Sequence, residues 1–326
     1  MMVADPPYVI LVVGAGEIGS RYLQGLAKCS HRLRIHVVDV SPDAIIKSRR
    51  LWLEVVNCDN VDSHISFHNN IQECPKEVDV AIVATTARKR GELVALMKRH
   101  LVVRYWILEK LLVQSAAELD NLSKILSGAK IWVNTPRRML PWHKQIRTSL
   151  IKQAPLHLKV TGKAWGLACN SVHFLDMFSW FTGEPLESIS TEELSRHWIK
   201  AKRPGNWEIL GEFKSKFTGG STATFSVEYG EPSDLSYQFH IEDGDMSWSI
   251  DEEFGTAVRS DGFSVSGRLP FLSEVTPLLV DEILSTGQCE LPSLETSSET
   301  HRVFLAAMLE HWQNTMDATA IVVPIT

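Results

Sequence analysis

Cysteine is scarce and unpatterned in this chain of 326 residues: Cys29, Cys58, Cys74, Cys169 and Cys289 are an odd, scattered set of five with no C-x-x-C pair. A disulfide framework and a cysteine-built zinc site are therefore excluded as organising devices, and a reducing compartment is expected. Long apolar runs are missing too. None approaches the ~18 residues needed to cross a bilayer, and the first apolar run meets its glycines early and has no basic lead, so it reads as a strand rather than a signal peptide. Basic tracts are also absent. With 33 Lys and Arg against 39 Asp and Glu, the net charge is -6, which argues against nucleic acid or an acidic membrane as partner. A cytoplasmic protein is expected, with no nucleic-acid partner, no membrane partner and no bound metal.

What is present is 44% hydrophobic and 22% charged residues over a length sufficient for two cores. The most informative stretch is Val9-Ile10-Leu11-Val12-Val13-Gly14-Ala15-Gly16-Glu17-Ile18-Gly19, an apolar β run that empties into G-x-G-x-x-G and then into helix-forming sequence. Its glycines suit a tight turn (Gly14), close approach of backbone to a ligand (Gly16) and close packing of helix on strand (Gly19). Amides at the start of the following helix, Glu17 and Ile18 among them, then face an anion with the positive end of the dipole. Ile35-His36-Val37-Val38-Asp39 reads as the second strand, which puts Asp39 where a carboxylate meets an adenosine ribose hydroxyl. That placement favours NAD and disfavours the 2′-phosphate of NADP.

Strand and helix continue to alternate through the first part. Ser41 caps a helix with Pro42 in its first turn. Strands are expected at 65–67, 78–84, 102–108 and 131–133, and helices at 91–100 and 116–126. The implied fold is α/β: a Rossmann-type doubly wound parallel sheet over residues 1–133, whose ligands bind beyond the carboxyl ends of the strands. Thr85, Thr86, Glu109, Lys110 and Asn134 all fall at such ends.

Beyond residue 134 the pattern changes. A helix near 142–152 and an alternating strand at 156–160 lead to a strong helix over 169–181. Several β segments follow, among them 213–217, 221–227 and 246–250, broken by Gly219-Gly220 and Gly244. This part, 134–326, reads as an α+β domain for substrate binding and oligomerisation, with a large, mostly antiparallel open sheet. A last helix over about 298–316 carries Val303, Ala306, Ala307, Leu309 and Trp312 at core spacing and is expected to pack back on the body. An open apolar sheet face would call for a homo-oligomer, a dimer or tetramer.

Lys110 ends a strand, where an ammonium can hand a proton to a substrate oxygen or simply close the strand. In the helix Cys169–Phe181, His173 and Asp176 interrupt an otherwise apolar surface at i and i+3, so they share a face. Buried ionisable groups need partners, and substrate hydroxyls or backbone groups would both serve. The segment Arg137-Arg138-Met139-Leu140-Pro141, with Trp142, His143 and Lys163, can either pair with an anionic substrate group or hold a domain junction. Trp142, Trp165 and Trp180 are core material or platforms for a sugar ring.

In order and spacing, the Gly14–Gly19 turn, Glu109-Lys110, the Arg137–Pro141 segment and His173-x-x-Asp176 resemble the glucose-fructose oxidoreductase and inositol dehydrogenase family across nearly the whole chain. The resemblance implies nicotinamide-dependent redox chemistry on sugars or cyclitols, with Lys110, His173 and Asp176 catalytic. Cofactor contacts would come from Gly14, Gly16, Glu17, Ile18, Gly19, Asp39, Thr85, Thr86 and Glu109, and substrate contacts from Lys110, Arg138, Trp142, Asn170 and His173. Departures are Leu111 for the usual proline, Thr85-Thr86 for a Thr-Pro, Arg90 for a frequent histidine, and Cys169 where an aspartate often precedes the histidine by four residues. The expected reaction is hydride exchange between NAD and a carbinol carbon of a sugar or sugar derivative, nucleotide-linked or acidic. Its alternatives are an imine or enone reductase on the same scaffold and a non-catalytic dinucleotide-binding sensor or assembly subunit.

Overall fold

The computed structural model describes the backbone of residues 6–59, 64–151 and 155–326, and all their side chains except those of residues 57–59 and 232. The chain forms two compact units that a single cut does not separate. One comprises Met1–Glu109, Asn121–Asn134 and Pro270–Leu294, and the other Lys110–Asp120, Thr135–Leu269 and Glu295–Thr326. Residues 270–294 thus belong with the first sheet rather than with the second half of the sequence, and the passage at Glu109-Lys110 assigns Lys110 to the second unit.

In the first unit, strands β1 (Tyr8–Val13), β2 (Leu33–Val38), β3 (His64–His68), β4 (Glu77–Val83), β5 (Val102–Leu108) and β6 (Lys130–Val133) form a parallel sheet in the order β3-β2-β1-β4-β5-β6. Its central strands β1 and β4 are apolar and buried toward their carboxyl ends, Ile10–Val13 and Val80–Val83, as a sheet covered on both faces requires. Helices α1 (Glu17–Leu26), α2 (Pro42–Asp59), α3 (Arg90–His100) and α4 (Ala116–Ile125) follow β1, β2, β4 and β5, α4 itself lying partly in the second unit. Ser41 does cap α2, its Oγ accepting from Ala44 N–H at 3.3 Å.

Helix α7 (Leu272–Thr286), after helices α5 (Pro141–Ser149) and α6 (Leu167–Thr182), joins this unit by packing on α1. Gly25 permits the approach: a Cβ there would lie 2.5 Å from Thr276 Cβ and 2.9 Å from the Ser273 carbonyl. That carbonyl is the one Pro277, lacking an N–H, cannot engage within the helix. An internal proline is also why sequence reading gave this segment no helix.

The second unit has a nine-stranded mixed sheet built from β7 (His157–Lys163), β8 (Leu186–Ser190), β9 (Leu194–Lys200), β10 (Trp207–Phe217), β11 (Thr222–Glu228), β12 (Ser236–Asp243), β13 (Met246–Asp251), β14 (Thr256–Arg259) and β15 (Ser264–Ser266). All pairs are antiparallel except β7 with β11. Alternation is strict: Leu158 and Val160, Ala223 and Phe225, Phe239 and Ile241 are buried, while His157, Lys159, Thr222, Thr224, Gln238 and His240 point the other way. The outward positions are polar, so the apolar open face that motivated an oligomer is not found on these strands.

The buried face carries α6, whose Phe174, Leu175, Phe178 and Phe181 are at most 1% exposed, each worth about 1.5–3 kcal/mol of burial. Phe174 meets Trp165, Phe225 and Phe239, and Phe178 meets Phe217 edge-on. The last helix, α8 (Leu294–Thr315), packs on the same unit through Phe304 against Phe213 and Trp312 against Trp198 and Trp207. Helix α5 ends at Ser149; residue 152 of the expected helix lies outside the described residues. Among the described residues, no helix is long and apolar enough to cross a membrane, and no group of three His, Cys, Asp or Glu side chains is placed to hold a metal.

Candidate functional site

The glycine turn in the first unit is built by exclusion of side chains. Gly14 has φ +100°, and a Cβ there would lie 3.0 Å from the Ala84 carbonyl group. At Gly19 a Cβ would fall 1.8 Å from Gly14 O, whereas at Gly16, exposed at the α1 N-cap, it would meet nothing within 4 Å. Turn and helix are thus locked together, with open space over the first-turn amides of Glu17 and Ile18, which have no carbonyl four residues back inside the helix. This geometry fits a pyrophosphate.

Asp39 follows β2, as expected, but both of its oxygens are engaged within the unit. Oδ2 accepts from Ala15 N–H at 2.6 Å and Oδ1 from Ser41 N–H at 2.8 Å, so the carboxylate braces the glycine turn. Thr85 Oγ1 is buried with no hydrogen-bond partner among the described residues, a polar atom at a strand end that a ligand would satisfy. Thr86 is exposed.

Glu109 has a different setting from the one its place at the strand end suggested. It is 7% exposed, and its Oε1 accepts from Tyr22 Oη at 2.7 Å and Asn134 Nδ2 at 2.6 Å. Buried Arg90 donates to the carbonyls of Glu109 and Thr85, tying two strand ends together. Burial, followed by the neighbouring Glu109 carboxylate, pushes the Tyr22 hydroxyl well above its ordinary value. Glu109 thus fastens the sheet internally through Oε1.

In the second unit the first turns of α6 gather the remaining candidates. Lys110 Nζ donates to Cys169 O at 3.1 Å, Cys169 Sγ at 3.1 Å and Asn170 Oδ1 at 3.4 Å. Leu111, next to the lysine, is fully buried with Leu112 and Val113. Asn170 Nδ2 in turn donates to Trp165 O at 2.6 Å, fixing the orientation of its amide. One turn on, His173 has a buried Nδ1 without a hydrogen-bond partner among the described residues. Burial first, then the charges of Lys110 and Arg137 and the neighbouring His301, hold this imidazole well below its ordinary value, hence neutral at pH 7.

Asp176 shares the helix face with His173 but serves other groups. Its Oδ2 accepts from Thr135 Oγ1 at 3.0 Å and from Arg138 Nε at 3.1 Å, while Oδ1 accepts from Arg138 Nη2 at 2.6 Å. A bidentate guanidinium from the 3-10 turn before α5 thus takes both oxygens, beside the Thr135 hydroxyl. Arg138 is by the same contact a structural residue, not a free anion binder. Burial raises the Asp176 carboxyl above its usual value, against the pull of Arg138 and Thr135.

Arg137 pairs with the buried Glu252 through Nε at 2.9 Å and Nη2 at 2.7 Å, and His143 lies 3.2 Å from the same carboxylate. Burial alone would push Glu252 up, yet Arg137 and His143 bring it down to about 2. Trp142 is 3% exposed and packs against Gly267, where a Cβ would sit 2.4 Å from its ring, so it is core and not a sugar platform. Trp165, 2% exposed, donates to Ser226 O at 3.0 Å, and Trp180 lies beneath the guanidinium of Arg147.

One residue escaped sequence reading. Glu208, in β10, accepts from Ala168 N–H at 2.8 Å and Cys169 N–H at 3.1 Å, closing the N-terminus of α6 where Gly166 offers no side chain. Nothing in its local sequence signals this, because the contact spans about forty positions.

The TrkA-N domain model matches residues 10–130. No curated protein sequence matches the chain. Among solved structures it is similar to UDP-N-acetylglucosamine 3-dehydrogenase GnnA from Acidithiobacillus ferrooxidans (TM-score 0.71, 12% identity, 96% of this chain and 99% of that one). It is similar to biliverdin reductase from Synechocystis sp. PCC 6803, in complex with biliverdin and NADP+ (TM-score 0.70, 15% identity, 94% and 99%). A third likeness is to myo-inositol dehydrogenase from Lactobacillus casei, in complex with NAD(H) and myo-inositol (TM-score 0.68, 13% identity, 95% and 97%). At such identities what is shared is the fold: from end to end, this chain has the architecture of these dehydrogenases and reductases, a parallel nucleotide-binding-type sheet joined to a mixed open one.

Proposed function

We propose that the protein is an NAD-dependent oxidoreductase that exchanges a hydride with a carbinol or carbonyl carbon of a sugar or sugar-like substrate. The observation that carries this reading is the buried, unpartnered Nδ1 of a neutral His173 next to the fixed ammonium of Lys110. A neutral imidazole accepts the proton of a hydroxyl as its carbon is oxidised and returns it in the reverse direction, while a nearby cation stabilises the developing alkoxide. The weakest acceptor on Lys110 is the Cys169 thiol, so a substrate oxygen can take that position without dismantling the other two bonds.

The residues that would hold the cofactor are Gly14, Gly16, Glu17, Ile18, Gly19, Asp39 and Thr85, and the bound nicotinamide supplies the hydride acceptor or donor. Asp39 favours NAD over NADP, because a carboxylate repels a 2′-phosphate. The order of motifs, its resemblance to the glucose-fructose oxidoreductase and inositol dehydrogenase family, and the fold likeness to a UDP-sugar dehydrogenase and an inositol dehydrogenase support the same reading. Arg137 and Arg138 are both occupied by carboxylates, which points to a substrate recognised through hydroxyls rather than through a charged group. The test is NADH fluorescence titration followed by turnover on a panel of sugars and cyclitols. Saturable NADH binding with turnover of at least one polyol, lost in His173→Ala and Lys110→Ala, is expected. Tight binding with no turnover on any of them would instead mark a sensor.

A further inference from the structure

A carboxylate stands on the far side of the turn that holds Lys110. Cys169 is gripped from both directions: its N–H donates to Glu208 Oε1 at 3.1 Å, and its carbonyl and thiol accept from Lys110 at 3.1 Å each. Glu208 also accepts from Ala168 N–H at 2.8 Å, so one side chain satisfies two of the amides that the first turn of a helix leaves open. The turn has no cap of its own. Gly166 at the N-cap is left-handed, φ +74°, and a Cβ on it would come within 3.2 Å of both Glu208 Oε1 and Asn170 Nδ2. Glycine there leaves the space through which Glu208 reaches the helix end.

We propose that Glu208 is a positioning residue of the Lys110–His173 site, supplying from β10 the negative charge that balances the lysine and fixing the helical turn to which the lysine is bound. The inference rests on the function proposed above for Lys110. Position 169 holds a thiol, and Glu208 brings a carboxylate to the same turn from β10. The groups facing this carboxylate are the Ala168 and Cys169 amides of α6, the Ile209 amide of its own strand, and the charge of Lys110. His173 in turn feels the charges of Lys110, Arg137 and His301. Burial pushes Glu208 up to about 7 against the pull of these amides and of Lys110, so the proton on Glu208 changes within the physiological range.

Chemical labelling of Lys110 tests this without any substrate. Trinitrobenzenesulfonate modification of Lys110, followed by mass spectrometry, is compared in wild type, Glu208→Gln and Glu208→Asp. Around pH 8, where wild-type Glu208 is ionised, Glu208→Gln should label Lys110 several-fold faster, because losing a nearby anion favours the neutral amine. Around pH 6, where Glu208 already carries a proton, the two should label alike, and Glu208→Asp should stay near wild type at both. In turnover, Glu208→Gln should lose about 10- to 100-fold in kcat/KM, mostly in kcat, with NADH affinity unchanged. Equal labelling around pH 8, or the same acceleration at both pH values, would overturn the proposal, the latter by revealing a merely loosened helix. If the wild type turned over no polyol, the labelling would still decide the role of Glu208, and only the proposed function would fall.

Discussion

The two units solve recognition with different materials. The glycine turn of the first is made of backbone, and its shape follows from where side chains are forbidden: a Cβ at Gly19 would collide with Gly14 O at 1.8 Å. The α6 turn of the second is made of side chains delivered from distant elements, Lys110 from the end of β5, Glu208 from β10 and Arg138 from the loop before α5. A backbone site is written in consecutive letters. A side-chain site is written across the whole chain, and only its helical portion is contiguous.

The largest effects should come from the second unit's chemistry. His173→Ala is expected to lower kcat by about 10² to 10⁴, the usual worth of a general acid or base, with NADH binding intact. If NADH affinity fell with it, the separation of the two sites would fail. Next is the buried ion pair between Arg137 and Glu252: Glu252→Ala leaves Arg137 without its counter-charge and should cost about 3–5 kcal/mol in urea unfolding. The same pair fixes a pH signature. Because Glu252 is held at about 2 in the folded state, below its ordinary value of 4.5, its contribution is fully present above that ordinary value and is lost as pH falls toward 2. A wild-type melting temperature that did not drop over that interval relative to Glu252→Gln would contradict the pairing.

Gly19→Ala should act on the first unit by backbone displacement, costing about 1–3 kcal/mol and abolishing NADH binding, while the Lys110 cluster keeps its labelling behaviour. Asp39→Ala is the mildest. It should reduce NAD affinity roughly tenfold and relax discrimination against NADP, a change of about 1.4 kcal/mol read from paired titrations. A wild type that already prefers NADP would show that the Asp39 carboxylate, braced on Ala15 N–H, does not face the ribose.

Legibility followed this same division. The alternating strands and helices of the first sheet, the glycine turn and the Ser41 cap could be read because each depends on neighbours in sequence. Helix α7 could not, since Pro277 sits inside it and its packing on α1, close enough to require Gly25, lies far away in sequence. At the site, His173 was found as an ionisable residue in an apolar helix. Asp176 was found too, but its partners Arg138 and Thr135 were not, because helical spacing shows which residues share a face and not what reaches that face from elsewhere. Glu109 was offered as a cofactor contact, and Arg138 and Trp142 as either ligand contacts or structural residues; in the structure Glu109 binds Tyr22, Arg138 binds Asp176, and Trp142 is buried. Glu208 was invisible because its meaning lies in amides some forty positions away.

The most direct test of the account is a paired measurement on His173→Ala: the NADH dissociation constant by fluorescence, and turnover on the best polyol substrate of the wild type. The account predicts unchanged affinity with kcat reduced by about 100-fold or more. Wild-type turnover in His173→Ala would contradict it, because the buried imidazole beside Lys110 would then have no part in the chemistry.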